Sequence, residues 1–311
     1  MEHQLAFVFP GQGSQAVGMG KDLAEGWPEA RAVFDAIDST LGYPISRLCF
    51  EGPEEELRLT ENTQPAILAV SSAIMAVIRA RSGPAPDIVA GHSLGEYSAI
   101  VAARGLSAGS AAAIVHQRGR FMQEAVPVGE GAMAALIGPA YDEVVSICEE
   151  AAEGEIVSPA NINAPGQIVV AGTKAAVERA IEIAKRRGVR KSLLLPVSAP
   201  FHCALMKPAE ERLRPVLEEA DIRDLSVPLV SNVDASPIGT AHAIRNALVR
   251  QVSSPVRWVE SVERMIAVGV RRFVEIGPGN VLSGLIRRID KNVETVSVSS
   301  AESVEQFLRS S

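Results

Sequence analysis

Short apolar runs alternate with longer stretches of helical period along most of this chain. LAFVFP, from Leu5 to Pro10, reads as a buried strand that empties into the glycine-rich turn GQGSQ. QPAILAVSSAIMAVIRARSG sets Ile67, Ile74, Val77 and Ile78 near helical spacing, with Pro65 at the first helical position and Gly83 as the stop. DIVAG then predicts a strand, SLGEYSAIVAARG a helix capped by Gly105, and the next segment a helix from about Ser107 to Glu124.

The rhythm changes at Gly131. GAMAALIG, YDEVVSICEEAA, EIVSPANIN, QIVVAG, KAAVERAIEIAKRRG and VRKSLLLPV read in turn as strand, helix, strand, strand, helix and strand, the ferredoxin-like order. Beyond Val197 the alternation resumes. Helices are expected near Ala209 to Ala220, Ala241 to Val252 and Val256 to Val268, with strands at VPLVSNV and RRFVEIG, the latter ending in the turn GPGN. Alternating strands and helices imply a mostly parallel sheet covered on both faces. The expectation is therefore an α/β protein. Residues 1–127 and 198–311 form a large α/β-hydrolase-like domain, and 128–197 a small ferredoxin-like subdomain inserted into it.

Composition narrows the function. With 311 residues, 47% hydrophobic and 22% charged, the chain can bury a sizeable core. The net charge of −7 argues against nucleic acid as the main partner. The basic run Lys185 to Lys191 is either a solvated helix end or a contact for an acidic partner, with Arg186 and Arg187 as the candidate residues. No apolar run is expected to reach bilayer-spanning length, and the start MEHQLAFVFPGQG lacks a secretory pattern, so a cytoplasmic protein without membrane contact is expected. Cys49, Cys148 and Cys203 are too scattered for a disulfide framework or a zinc site.

The candidate chemistry lies at Gly91-His92-Ser93-Leu94-Gly95. Small residues around a serine, between a strand and a helix, permit a sharp turn that presents the hydroxyl, although a helix-capping serine fits the same frame. A serine needs a base, and five histidines are available. His3 precedes the first strand, His92 abuts the serine, His116 sits in an apolar helix and His242 starts one. His202, beyond a strand and a proline-stiffened turn in SAPFHC, is the favoured base. Cys203 beside it would point the other way. No carboxylate stands out to complete a triad, since helix-end and turn roles explain Asp221, Asp224 and Asp234 equally well. Arg118, in an alanine-rich helix, is either a surface charge or a clamp for a substrate carboxylate.

Taken together, FVFPGQGSQ, TQPA, GHSLGEYSA, RG-RFMQEA, NINAPGQIVVAG, SAPFH, SSPVRW and FVEIGPGNVLSGL resemble, in order and over nearly the whole chain, the malonyl-CoA:acyl carrier protein transacylases. The acyltransferase domains of polyketide synthases are related, but this chain begins and ends close to the catalytic module. The resemblance implies Ser93 as nucleophile and His202 as general base and acid. It implies Leu94 and Gln12 as main-chain donors to the oxyanion, Arg118 as the clamp for the malonyl carboxylate, and Gln64 as a pocket residue. It also implies that the carbonyl of Gln251 orients the histidine in place of a carboxylate, from which exchanging Gln251 for Glu is expected to raise hydrolysis. Phe201 resembles the malonyl-preferring members, whereas Pro200 departs from the alanine usual in malonyl-selective polyketide enzymes. The implied activity is ping-pong malonyl transfer from malonyl-CoA to an acyl carrier protein in fatty acid synthesis, by a monomer, with no metal or redox cofactor. The alternatives are a stand-alone polyketide acyltransferase, a serine esterase or patatin-like lipase in which water is the acceptor, and a non-catalytic scaffold.

Overall fold

The computed structural model describes residues 4–197 and 199–310; His3 and the expected boundary residue Ser198 lie outside the described residues. The strands are β1 (Gln4–Phe9), β2 (Ile88–Gly91), β3 (Gly131–Ile137), β4 (Val157–Ala164), β5 (Gln167–Thr173), β6 (Lys191–Leu194), β7 (Leu229–Val230), β8 (Pro237–Ile238), β9 (Val270–Ile276) and β10 (Glu294–Val298). The helices up to the small sheet are α1 (Lys21–Gly26), α2 (Pro28–Leu41), α3 (Ile45–Glu51), α4 (Glu54–Leu57), α5 (Thr60–Ala80), α6 (Gly95–Ala102) and α7 (Ala108–Glu124). Then come α8 (Tyr141–Ala152), α9 (Lys174–Arg186), α10 (Lys207–Glu219), α11 (Ala241–Gln251), α12 (Trp258–Ala267), α13 (Val281–Ile289) and α14 (Ala301–Arg309).

The main sheet runs β10-β9-β1-β2-β7-β8, parallel except for the β7–β8 pair. Its central strand explains why both faces are covered. Along β1, Phe7 and Phe9 enter the core built with α5, α6 and α7, while Ala6 and Val8 enter a second core with Trp258, Met265 and Ile286. Alternate side chains of a strand leave on opposite faces, so an uninterrupted apolar strand requires two apolar layers.

The second sheet is antiparallel, in the order β4-β5-β3-β6. Ala134, Leu136, Ile168 and Val170 pack under α8 and α9, and Met133, Val169 and Ala171 face the main body. The chain thus combines a mixed α/β architecture and a mostly parallel sheet with a β-α-β-β-α-β segment between β2 and β7.

Several boundaries differ from the sequence expectation for identifiable reasons. Helix α5 starts at Thr60, so Pro65 lies inside it and not at its first position. Proline deprives the Glu61 carbonyl of its helical donor, and His116 Nδ1 meets that oxygen at 3.0 Å. This helix is also long and apolar enough to cross a membrane by composition, contrary to the expectation, with a mean hydropathy of 1.4 over its best window; 83% of that window is buried in the protein core. At the end of α6 the left-handed residue is Arg104 (φ 63°), not Gly105. Gly105 is needed for space, because a Cβ there would stand 2.4 Å from the Leu225 side chain. The strand expected from VPLVSNV shortens to Leu229–Val230 because Asn232 turns away to bind the serine loop. Strands β8 and β10 were not anticipated.

Candidate active site

Strand β2 ends at Gly91 and α6 begins at Gly95, leaving a turn with Ser93 at φ 53°. Such a conformation is strained for serine and persists only where neighbours enforce it. Here they do. A Cβ on Gly91 would lie 2.0 Å from the Gly95 carbonyl, and one on Gly95 would lie 2.0 Å from the Phe9 carbonyl oxygen, so only glycine lets the strand and helix approach this closely. Asn232 bridges the turn: its Oδ1 accepts from the Ser93 N–H at 2.7 Å, and its Nδ2 donates to the Gly91 carbonyl at 2.7 Å. Ser93 therefore presents its hydroxyl and is not a helix cap.

His202 Nε2 lies 2.7 Å from Ser93 Oγ, and His202 Nδ1 lies 3.0 Å from the Gln251 main-chain oxygen. A carbonyl only accepts, so Nδ1 carries the ring proton and Nε2 is free to take the serine proton. Burial, and then the nearby Arg118 guanidinium, push the pKa of His202 down to about 3, against the Gln251 hydrogen bond, which favours the charged form. The ring is neutral at physiological pH.

Arg118 is buried and is therefore not a surface charge. Its residue is 1% exposed and lies on α7 with its guanidinium 5.6 Å over the Tyr97 ring. Nη1 donates to Gln64 Oε1 at 2.7 Å, and Nη2 donates to Gln251 Oε1 at 2.8 Å and to Ser93 Oγ at 3.1 Å. Among the described residues no carboxylate forms a salt bridge with it, and its Nε has no partner. A buried cation whose hydrogen bonds go only to neutral acceptors, beside the Ser93 hydroxyl, can receive an anion.

These groups open on a cleft of about 440 Å³ between the two sheets, lined also by Met133, Asn161 and Phe201. Gln12 and Leu94 border it too. Their main-chain N–H groups donate to no acceptor among the described residues, and the Gln12 side chain makes only a 3.5 Å contact with Thr60 Oγ1.

The remaining histidines have other partners. His92 Nε2 meets Asn163 Oδ1 at 2.8 Å, and His242 Nε2 meets Asn246 Nδ2 at 2.9 Å. Asp221 and Asp234 pair with Arg223 and Arg250, and Asp224 accepts from the Ala241 N–H. Buried Cys203 donates to the Pro200 carbonyl, and burial lifts its thiol to about 11.

The structure bears on two further expectations. Arg186 and Arg187 pair with Glu150 on the helix-covered face of the small sheet, whereas the cleft lies on the other face with Met133. The two arginines thus form a surface patch paired with Glu150 on the face away from the cleft. The Gln251 side chain does not touch His202; its Nε2 donates to the Ser93 carbonyl at 2.9 Å and to Glu96 Oε2 at 2.7 Å. A glutamate at 251 would therefore not create a histidine–carboxylate couple.

Sequence reasoning missed Asn232 and Glu96. Glu96 lay within the quoted serine motif, three residues beyond the nucleophile and one helical turn away on the same side. Asn232 carried no local signal.

A strand-turn-helix serine with a histidine and a buried arginine is the arrangement of an acyl-transfer enzyme, and comparison places it. Residues 6–309 match the acyl transferase domain family, and the chain belongs to that family. It is therefore an acyltransferase. It is 49% identical over 303 residues to the malonyl CoA-acyl carrier protein transacylase of Bacillus subtilis (strain 168), covering 97% of this chain and 95% of the relative. With that of Escherichia coli (strain K12) it shares 50% over 296 residues, 95% of each. Among solved structures, the malonyl CoA-acyl carrier protein transacylase of Coxiella burnetii superposes with a TM-score of 0.97 at 44% identity, over 99% of this chain and 98% of that one. A structure described as a type II PKS acyl-carrier protein in complex with its malonyl-transacylase gives a TM-score of 0.97 at 47% identity, over 99% and 100%.

Proposed function

We propose that this acyltransferase moves the malonyl group from malonyl-CoA to the phosphopantetheine thiol of a holo-acyl carrier protein, through a malonyl ester on Ser93, in fatty acid synthesis. The observation that carries this reading is the buried Arg118 guanidinium, 3.1 Å from Ser93 Oγ and without a carboxylate salt bridge among the described residues. It supplies two-pronged recognition for an acyl group that ends in a carboxylate. The names of the relatives point to the same substrate pair.

In the first half-reaction the malonyl carboxylate docks on Arg118 and Ser93 Oγ attacks the thioester carbonyl as its proton passes to His202 Nε2. The developing oxyanion is received by the N–H groups of Leu94 and Gln12. The intermediate collapses, the C–S bond breaks, and His202 returns the proton to the CoA sulfur. In the second half-reaction His202 takes the proton of the carrier thiol, the sulfur attacks the ester carbonyl, the bond between Ser93 Oγ and the acyl carbon breaks, and His202 returns the proton to Ser93 Oγ. A thioester is already activated, so the scheme uses no metal or redox cofactor. Gln251 orients His202 through its carbonyl, Gln64 supports Arg118, and Phe201 restricts a branch next to the carboxylate.

The reading extends to organisation. The main sheet is taken as an α/β-hydrolase-like domain of residues 1–127 and 198–311, and the 128–197 unit, with its order β4-β5-β3-β6, as a ferredoxin-like subdomain. The protein is proposed to work as a cytoplasmic monomer whose partners are malonyl-CoA and a carrier protein, without nucleic acid or membrane.

Intact-mass spectrometry tests the function. Brief exposure to malonyl-CoA should add one malonyl group to the wild type and none to Ser93→Ala, and Arg118→Ala should lose the malonyl adduct while keeping reaction with acetyl-CoA. The adduct should then move to holo-carrier protein. Loss to water at the same rate with and without carrier would instead assign a hydrolase.

A further inference from the structure

The transfer chemistry leaves one buried ionisable group beside the nucleophile unused. Glu96 sits in the first turn of α6, and its residue is 0% exposed. Its Oε2 accepts from Gln251 Nε2 at 2.7 Å and from the Asn232 main-chain N–H at 3.2 Å, and its Oε1 has no hydrogen-bond partner among the described residues. Both protons of the Gln251 amide are thereby used, one on Glu96 and one on the Ser93 carbonyl at 2.9 Å. That leaves Gln251 Oε1 facing Arg118 Nη2 at 2.8 Å.

The two ends of a carboxamide have nearly the same shape, and only hydrogen-bond partners decide which end points where. Turned over, the Gln251 amide would set N–H groups against a guanidinium that has only donors. The Arg118 fork would then lose an acceptor and its place beside Ser93. The Ser93 carbonyl and a group able to accept at position 96 together prevent this.

We propose that Glu96 is a positioning residue: through the Gln251 amide it holds Arg118 beside Ser93 and so sets the preference for acyl groups that end in a carboxylate over neutral ones. The proposal rests on the malonyl-transfer reading above.

Charge adds a second consequence. The charged groups facing Glu96 are Arg118 from α7, Arg250 from α11 and Asp234 from the turn after β7. Arg250 and Asp234 pair with each other at 2.9 Å and 2.5 Å and largely cancel. Burial raises the Glu96 carboxyl to about 7, opposed by its hydrogen bonds and Arg118. An ionised Glu96 shares the positive charge of Arg118 with an incoming carboxylate, and a protonated one does not. The malonyl preference should therefore fall as pH rises through neutrality.

The test is the ratio of self-acylation rates with malonyl-CoA and acetyl-CoA, read by intact mass at pH 6 and pH 8.5 for wild type, Glu96→Ala and Glu96→Gln. Taking the ratio removes the titration of the CoA phosphates and of any group acting on both substrates. In Glu96→Ala the ratio should fall about tenfold, within the range of couplings inside shared hydrogen-bond networks. In Glu96→Gln, whose side-chain carbonyl can accept the same two bonds, it should recover at pH 6 and lose the pH dependence of the wild type. Equal loss of both rates in Glu96→Ala would mean a merely structural role and overturn the proposal. So would a Glu96→Gln ratio that follows pH as the wild type does, and this comparison decides alone if Glu96→Ala fails to fold. A wild type that forms no malonyl adduct would instead refute the malonyl-transfer reading.

Discussion

Replacing His202 with glutamine should make the protein relatively more resistant to acid, and the size of the effect follows from burial. The histidine titrates near 3 when folded against 6.5 when unfolded. Between those values the unfolded chain binds a proton that the folded one refuses, so stability falls as pH falls, by about 1.4 kcal/mol per unit. From pH 6.5 to pH 5 the loss is about 2 kcal/mol. Glu96 acts in the opposite sense: with a folded pKa near 7 against 4.5 unfolded, its folded form holds the extra proton, and stability rises as pH falls across that window. In the wild type the two contributions offset each other between pH 4.5 and 6.5. His202→Gln removes only the first. Whatever constant cost the lost hydrogen bonds impose, the variant should gain about 2 kcal/mol relative to wild type on going from pH 7.5 to pH 5. Urea unfolding of both proteins at half-unit pH steps measures this difference directly. A difference that stays constant across the range would refute the burial argument.

Gly95→Ala should abolish the malonyl adduct and cost about 3 kcal/mol, because its Cβ would stand 2.0 Å from the Phe9 carbonyl oxygen on the central strand; a wild-type adduct yield would contradict the close-approach reading. Cys49, Cys148 and Cys203 are buried with thiol pKa values pushed upward, to about 12 for Cys148 and about 11 for Cys203. A disulfide reagent at pH 8 should therefore label none of them in the native protein and all three after denaturation. Gln251→Glu should raise the KM for malonyl-CoA about tenfold by offering Arg118 a competing carboxylate, and leave the division between hydrolysis and transfer unchanged; increased hydrolysis would show that the side chain acts on His202 after all.

What could be read in advance was what the chain encodes locally. The strand-turn-helix around Ser93 is written in consecutive residues, because the two glycines that allow it flank the serine. The order of elements between Gly131 and Leu194 was legible for the same reason: each has its own period, and short turns fix which neighbours pair. Arg118 could not be assigned by spacing, since an arginine in an alanine-rich helix looks the same whether its face is wet or buried. The packing of α7 against α5 decides, by setting Arg118 against Gln64. Asn232 was invisible because its partners, Gly91 and Ser93, lie 141 and 139 residues away. Strand β7 was overestimated on account of the same residue, which leaves the sheet to serve the turn.

The placement of charge in this site bears on why a thiol, and not water, should accept the acyl group. Glu96, the carboxylate of the site, does not touch His202; it binds the Gln251 amide, and the histidine is left with a carbonyl. Burial first, and then the nearby Arg118, make His202 a weak base. In the proposed scheme, a malonyl carboxylate seated on Arg118 would cancel that smaller, coulombic part of the effect and strengthen the base when an acyl group of the right charge is bound. The restored base still faces two possible acceptors. A thiol with a pKa near 8.5 gives up its proton far more readily than water, near 15.7. In the proposed scheme, specificity for the acyl group would then rest on the positive charge beside Ser93, with a neutral carbonyl behind His202.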